Sequence, residues 1–309
     1  MTTRTVDLFA GGGGLSLGFI NAGYDVVAAF DNWQPACEFY KANFKNHPII
    51  KKDLSSEEAV SEIRQFSPRI IIGGPPCQDF SSAGKRDENL GRADITKSFA
   101  EIIMKICPDF FVMENVARAL KSKAFLAAKR TFKKAGYGLT IIILDASLCG
   151  VPQLRKRLLV VGQKGGNDNF LADILEEHLS NRPMTMRDYF GNSLCIEHYY
   201  RHPRSYKRRG VFSIDEPSPT IRGVNRPIPK GYPGHPGDTS KINKKVRPLT
   251  TKERSMIQTF PKNFILWGNK TNVEQIVGNA VPVKLGEYVG QCLKQYMLST
   301  GLAQETDFS

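Results

Sequence analysis

The 309-residue chain has no long apolar run. Its most apolar stretches, such as residues 141–144, are strand-sized and fall far short of the roughly 20 residues a membrane-spanning helix needs. The opening MTTRTVDLFAG shows no basic leader followed by an apolar stretch, so no secretory signal, no membrane partner and a cytoplasmic location are expected. Paired cysteines are missing too. The six cysteines stand at positions 37, 77, 107, 149, 195 and 292, form no Cys-x-x-Cys, and have no histidine cluster beside them. Zinc-site spacing is thereby excluded and no metal is expected. Thiols in a chain of this size without a signal are expected to stay reduced.

Acid is in short supply. Lys and Arg number 43 against 30 Asp and Glu, for a formal net charge of +13 and a pI near 9.5. That balance favours a polyanionic partner, although a basic surface kept for solubility would give the same total. Distribution sharpens the case. Between Arg182 and Arg247 cations crowd (Arg201, Arg204, Lys207, Arg208, Arg209, Arg222, Arg226) while acids are few, and Tyr199, Tyr200 and Tyr206 interleave with them.

What the chain does have, from residue 5 to about 162, is alternation. Strands are predicted at 6–9, 26–30, 49–50, 70–72, 110–113, 140–144 and 158–161, with amphipathic helices near 15–22, 34–43, 56–66, 96–106 and 122–135. Ser55 and Glu58 have the spacing of a capping box for the third helix. Such alternation argues for an open parallel sheet covered on both faces, with ligands beyond the carboxyl ends of its strands. After about residue 180, prolines and glycines crowd and helical periodicity fades. Persistent Tyr, Ile and Val there point to a second domain of loops and short strands, not a disordered linker. Order returns with a helix at 249–257 and with Val281, Leu285, Val289 and Leu293 recurring on one helix face.

Four segments carry chemistry at strand ends. Asp7-Leu-Phe-Ala-Gly-Gly-Gly-Gly14 is a strand-to-helix turn whose glycines allow close approach to a ligand, as dinucleotide turns also do. Asp31 could accept from ribose hydroxyls or cap a helix, and Asp53 could meet an adenine amine or cap a turn. Gly73-Gly-Pro-Pro-Cys77-Gln-Asp-Phe-Ser-Ser-Ala-Gly84 sets a cysteine directly after an apolar strand. A lone cysteine is usually a small buried hydrophobe, but prolines that fix the backbone at a ligand edge suit a nucleophilic thiolate. Glu114, in Met113-Glu-Asn-Val116, could protonate a heterocycle or be structural. Arg155 and Arg157, in Gln153-Leu-Arg-Lys-Arg157, share a face by strand alternation.

Taken in order, these segments resemble the DNA (cytosine-5)-methyltransferase family across nearly the whole chain. DLFAGGGG is similar to its first cofactor motif, GGPPCQDFSSAG to its catalytic loop, ENV to its acid motif and QLRKR to its arginine motif. Arg247-Pro-Leu-Thr-Thr-Lys-Glu-Arg254 with Phe260-Pro261 resembles the motif after its target-recognition region, and Gln275-Ile-Val-Gly-Asn-Ala-Val-Pro282 its last cofactor motif. The resemblance implies an α/β S-adenosylmethionine-dependent methyltransferase fold, a Rossmann-like doubly wound mixed sheet, with a smaller loop- and strand-rich target-recognition domain. Residues 1–188 and 275–309 would form a discontinuous catalytic and cofactor domain, and 189–274 the target-recognition domain and hinge.

The same resemblance implies roles. Cys77 would attack carbon 6 of a flipped cytosine, Glu114 would protonate ring nitrogen 3, Arg157 would hold the base carbonyl and Arg155 would organise the pocket. Phe9, Gly11, Gly12, Gly13, Gly14, Asp31, Asn32, Asp53, Leu54, Pro75, Asn279 and Ala280 would surround S-adenosyl-L-methionine. At Asn32 the family often has a larger apolar or aromatic residue against the adenine face; either Trp33 takes that part by a small shift or the stacking is weaker here. Gln78, Ser81, Arg201, Arg204, Arg208, Arg209, Thr220, Arg222 and Arg226 would face double-stranded DNA. Thr220-Ile221 matches the Thr-plus-aliphatic pair of the recognition region. A bacterial restriction–modification enzyme acting as a monomer is expected. Competing readings are a tRNA-directed relative, a dinucleotide-dependent oxidoreductase and a catalytically dead DNA-binding protein.

Overall fold

Short runs of β-branched and aromatic residues set the strands, because such side chains pack well on a pleated, buried surface. In the computed structural model, which describes residues 3–76 and 95–308, these runs become β1 (Arg4–Leu8), β2 (Asp25–Asp31), β3 (Ile49–Lys51), β4 (Ile70–Gly73), β5 (Phe110–Val116) and β6 (Tyr137–Asp145). A two-residue β7 (Gln153–Leu154) precedes β8 (Lys156–Lys164). The sheet order is β3-β2-β1-β4-β5-β8-β6. The first five strands are parallel, whereas β8 runs antiparallel to both β5 and β6. Alternation alone predicts a wholly parallel sheet, and it fails here for a local reason. The link from β6 to β8 holds no crossover helix, and a short return can only bring a strand back antiparallel.

Between the sheet strands come α1 (Gly14–Asn21), α2 (Gln34–Asn43), α3 (Glu57–Gln65), α4 (Ile95–Ile106) and α5 (Lys123–Lys134). In α5, Phe125, Ala128 and Phe132 form the buried stripe, and Ser122 caps the helix by accepting from the Phe125 N–H. The expected Ser55–Glu58 capping box does not form. The N-cap of α3 is Ser56, because Asp53 Oδ1 accepts from the Ser55 N–H at 2.9 Å and from its hydroxyl at 2.7 Å. An Asx-type turn has captured the residue that would have capped.

Beyond β8 come α6 (Ala172–Glu177), α7 (Met186–Phe190), β9 (His198–Tyr200), β10 (Val211–Ser213), β11 (Ser218–Pro219), β12 (Arg247–Pro248), α8 (Thr251–Ile257), α9 (Lys270–Asn279) and α10 (Val283–Ser299). Strands β10, β9 and β12 make a separate small sheet, and β11 pairs with β7. The residues expected four apart, Leu285, Val289 and Leu293, are buried in one core with Leu15 and Phe19 of α1 and Ile70 and Ile72 of β4. The approach is close: a Cβ on Gly18 would lie 2.5 Å from the Glu287 backbone nitrogen. The last helix therefore returns beside the first. On the opposite sheet face, Ile63, Phe99, Phe111 and Phe132 share a second core. A third joins Phe39 and Tyr40 of α2 to Tyr199, Phe212, Ile221, Ile257, Phe260 and Ile276. Among the described residues, no helix is long and apolar enough to cross a membrane.

Candidate active site

The strand ends converge on one edge. At the end of β1, Phe9 adopts φ 58°, a left-handed conformation that costs a bulky side chain of the order of 1–3 kcal/mol and occurs where surrounding structure enforces it. The glycines that follow are required by packing. Gly13 has φ 78°, and a Cβ there would lie 2.3 Å from the Phe44 ring; one on Gly14 would lie 2.0 Å from the Val281 carbonyl oxygen. The turn thus fits against α2 on one side and the 280–282 segment on the other. Asp31, nine-tenths buried, accepts from the Gly11 N–H and the Trp33 N–H, each at 2.8 Å. Burial raises its pKa and those backbone donors oppose the rise.

With the Asn32 N–H as a third backbone donor, the Asp31 carboxylate still keeps acceptor capacity, and space above Gly11 is open, since a Cβ there would meet nothing within 4 Å. This edge fits a hydroxyl-bearing nucleoside. Asn32 is exposed, while Trp33 is partly buried and packs against the third core. Asp53 serves its turn through Ser55, whose donors hold its carboxyl below the usual range. Leu54 and Pro75 are buried, and Asn279 is exposed at the end of α9.

At the end of β5, Glu114 is buried, and its Oε1 pairs with Arg157 Nε at 2.6 Å. Glu114 and Leu159 are register partners, as are Val116 and Arg157, in β5 and β8. The antiparallel strand thereby brings the arginine to the acid. The other carboxylate oxygen points toward Gly74, where a Cβ would lie 3.4 Å from it. Next to Glu114, Asn115 donates to the Pro75 carbonyl at 3.2 Å, tying the acid strand to the Pro-Pro segment that runs on toward position 77. Cys77, Gln78 and Ser81 lie outside the described residues. Of the other thiols, burial pushes Cys37 and Cys292 up to about 11 and Cys149 up to about 12, so those three stay protonated near neutral pH.

Arg155 is 2% exposed and donates to the carbonyls of Ile221, Gly278 and Ala280 at 3.2, 3.2 and 3.0 Å. Burial and the neighbouring Arg157 lower its pKa well below the arginine norm. It binds no solvent-facing partner and holds three backbone segments together. Two glutamines that the sequence analysis passed over extend this knot. Gln153 accepts from the Ile221 N–H at 2.8 Å and donates to Gln258 at 2.7 Å; Gln258 donates to Val277 and Ala280. Arg254 forms a buried ion pair with Glu274 and donates to the Arg222 carbonyl. A Cβ on Gly278 would lie 2.2 Å from the Gly223 nitrogen. The 220–223 segment is therefore packed directly against the segment bearing Asn279 and Ala280, and Arg155 bridges the two. Periodicity carries no signal for such links, and Gln258 lies outside the motif residues that the sequence singled out.

The arginines expected to meet DNA divide into two groups. Arg204, Arg208 and Arg226 are exposed. The rest are engaged internally: Arg209 grips Glu216 and lies 4.3 Å over the Phe212 ring, Arg201 donates to the Thr220 carbonyl at 2.9 Å, and Arg222 donates to the His202 carbonyl. Burial and the nearby Arg222 push Arg201 down to about 10. The Thr220 hydroxyl donates to the Leu154 carbonyl at 2.7 Å.

Comparison with known proteins gives the same reading of the chain. Residues 3–295 match the family model described as C-5 cytosine-specific DNA methylase. The chain is 59% identical to the type II methyltransferase M.HindV of Haemophilus influenzae, with 94% of this chain and 96% of that protein covered. It is 55% identical to M.HgiDI of Herpetosiphon aurantiacus, with 95% of each covered. Among solved structures, the S. pombe Dnmt2 methyltransferase superposes with a TM-score of 0.70 at 18% identity, covering 96% of this chain and 99% of that one; at that identity the likeness shows the fold alone. A strand-end acid paired with an arginine, a glycine turn built for close approach and a family match over nearly the whole length lead to one conclusion: the chain belongs to the C-5 cytosine-specific DNA methylases and is a DNA (cytosine-5)-methyltransferase.

Proposed function

We propose that this enzyme transfers a methyl group from S-adenosyl-L-methionine to carbon 5 of a flipped-out cytosine in a short, specific duplex sequence, through a covalent bond between Cys77 and carbon 6. The observation that carries the reading is the buried Glu114–Arg157 pair, set against Gly74 three residues before the cysteine. Carbon 5 of cytosine is a weak nucleophile. Addition of the Cys77 thiolate to carbon 6, with Glu114 delivering a proton to ring nitrogen 3, places electron density on carbon 5. S-adenosylmethionine, when bound, supplies an electrophilic methyl group on a sulfonium. Loss of the carbon 5 proton to a base then restores the double bond and expels the thiolate, while the proton on ring nitrogen 3 returns to Glu114.

Phe9, Gly11 to Gly14, Asp31, Asn32, Asp53, Leu54, Pro75, Asn279 and Ala280 would hold that donor, with Asp31 taking hydroxyl hydrogens. Arg157, already aligned by Glu114, would bind the base carbonyl. Arg155 would act as a positioning residue. Residues 1–188 and 275–309 would form the catalytic domain, and 189–274 would recognise the target, with Arg204, Arg208 and Arg226 offering exposed charge to phosphates. Relatives bearing type II methyltransferase names favour a modification enzyme of a restriction–modification system. Parallel assays of methyl incorporation into duplex DNA and tRNA, followed by bisulfite sequencing of the methylated DNA, test this. Expected are 5-methylcytosine at one short motif, no transfer to tRNA, and loss of at least about 10³-fold in turnover in Cys77→Ala with donor binding retained. Near-wild-type methylation by that variant would overturn the covalent route.

A further inference from the structure

No Asp or Glu occurs between Glu114 and Asp145, while Arg118, Lys121, Lys123, Lys129, Arg130, Lys133 and Lys134 fall in that interval. The imbalance is local. Helix α3 opens with Glu57 and Glu58 and carries Glu62, and α6 carries Asp173, Glu176 and Glu177. The fold gives the cationic stretch a direction. The turn Ala117–Lys121 follows β5 directly, so it lies at the strand end that bears Glu114. Helix α5 joins β5 to β6, which lie parallel because both are antiparallel to β8. It must therefore run back from the active edge along the sheet. Its inner stripe, Phe125, Ala128 and Phe132, is buried. Its outer face bears Lys123, Lys129, Arg130 and Lys134, all exposed, around Leu126. Among the described residues, Asp168 takes Lys133 at 2.8 Å, and Glu101 is exposed on the adjoining α4.

We infer that the outer face of α5, entered through the 117–121 turn, is a phosphate track for duplex DNA flanking the target site, separate from the basic segment at 201–226. The inference rests on the proposed duplex-DNA reading and extends the contact surface to a second basic segment, continuous with the acid strand. Twelve helical residues span about 18 Å, equal to roughly five base pairs of flank at 3.4 Å each. Lysine and arginine on one exposed face, with no acid among them, neutralise phosphates without reading bases. The partner is thus any duplex continuing past the recognised sequence.

Lys123→Gln/Lys129→Gln/Arg130→Gln/Lys134→Gln tests it; glutamine is nearly as good a helix former, so the fold is kept. Binding is measured against salt on two duplexes carrying the mapped site, one of about 12 and one of about 30 base pairs. Each phosphate contact contributes roughly 0.9 to the slope of log affinity against log salt. For the wild-type enzyme the longer duplex should show the steeper slope. In the variant that slope should fall by about 2 to 3, equivalent to roughly 16- to 64-fold across a fourfold change in salt, with the short duplex and saturated turnover unchanged. An unaltered slope on the long duplex, or an equal fall on both, overturns the track. Failure of the wild-type enzyme to methylate duplex DNA would instead sink the underlying functional reading.

Discussion

The sheet edge and the proline-rich segment of residues 189–274 are held by different physics. At the edge, apolar strands place a few polar groups by register: Asp31 after β2, Gly74 after β4, and Glu114 opposite β8. In the later segment the strands have only two or three residues, and buried polar bonds add to the apolar cluster of Tyr199, Phe212 and Ile221 in holding it. Arg155, Gln153, Gln258 and the Arg254–Glu274 pair tie the 221–222 segment to the 277–280 backbone. Secondary structure places the strand-end groups; a polar knot helps to place the 220–223 segment. Substitutions at the edge should accordingly damage turnover while sparing stability, and substitutions in the knot should damage stability first.

The sharpest contrast is expected at Glu114. Glu114→Gln keeps a similar shape, so folding and donor binding should hold, while turnover falls about 10²- to 10⁴-fold through loss of the proton donor. Single-turnover methylation with unfolding curves alongside would show it; a parallel loss of stability would make the residue structural.

Next in size is the knot. Removing one member of the buried Arg254–Glu274 pair, both side chains 5% exposed, strands the other charge and should cost about 3–5 kcal/mol. The double variant Arg254→Leu/Glu274→Leu should recover much of that loss, because no charge is left unpaired. Urea unfolding of the three proteins decides it, and additive losses would contradict the account.

A pH-dependent effect belongs to Asp7. Its buried carboxyl accepts from Ser16, and burial raises its pKa from 3.8 to about 7. The folded state therefore holds this proton more tightly than the unfolded chain. The stability it contributes is fully present below about pH 4 and is lost as pH rises through 7, by roughly 4 kcal/mol in all. Asp7→Asn cannot ionise. Its unfolding free energy relative to wild type should grow from pH 5 to pH 7 and level off above; a pH-independent difference would show that the carboxyl titrates normally.

Much of the edge is legible in the sequence because strand and helix periods are local. The runs at 6–9, 26–30, 70–72 and 110–113 locate β1, β2, β4 and β5 to within a few residues, and Glu114 and Arg157 stand out at strand ends. Less of the rest could be read. The antiparallel turn of β8 depends on what is absent between β6 and β8. Asp53 took Ser55 for its own turn, a choice the capping-box spacing cannot foresee. Arg209 looks in sequence like any DNA-facing cation, yet Glu216 and Phe212 hold it within the fold. Gln153 and Gln258 are 105 residues apart, and only the folded chain brings them to 2.7 Å.

The most direct test of covalent catalysis uses DNA amplified with 5-fluorocytosine in place of cytosine, incubated with the enzyme and S-adenosylmethionine. Fluorine cannot leave as a proton does, so the adduct should persist. Digestion and mass spectrometry should find the methylated fluoropyrimidine bonded to the peptide containing Cys77. Methylation of ordinary DNA by the same preparation, with no adduct at that peptide, would contradict the account.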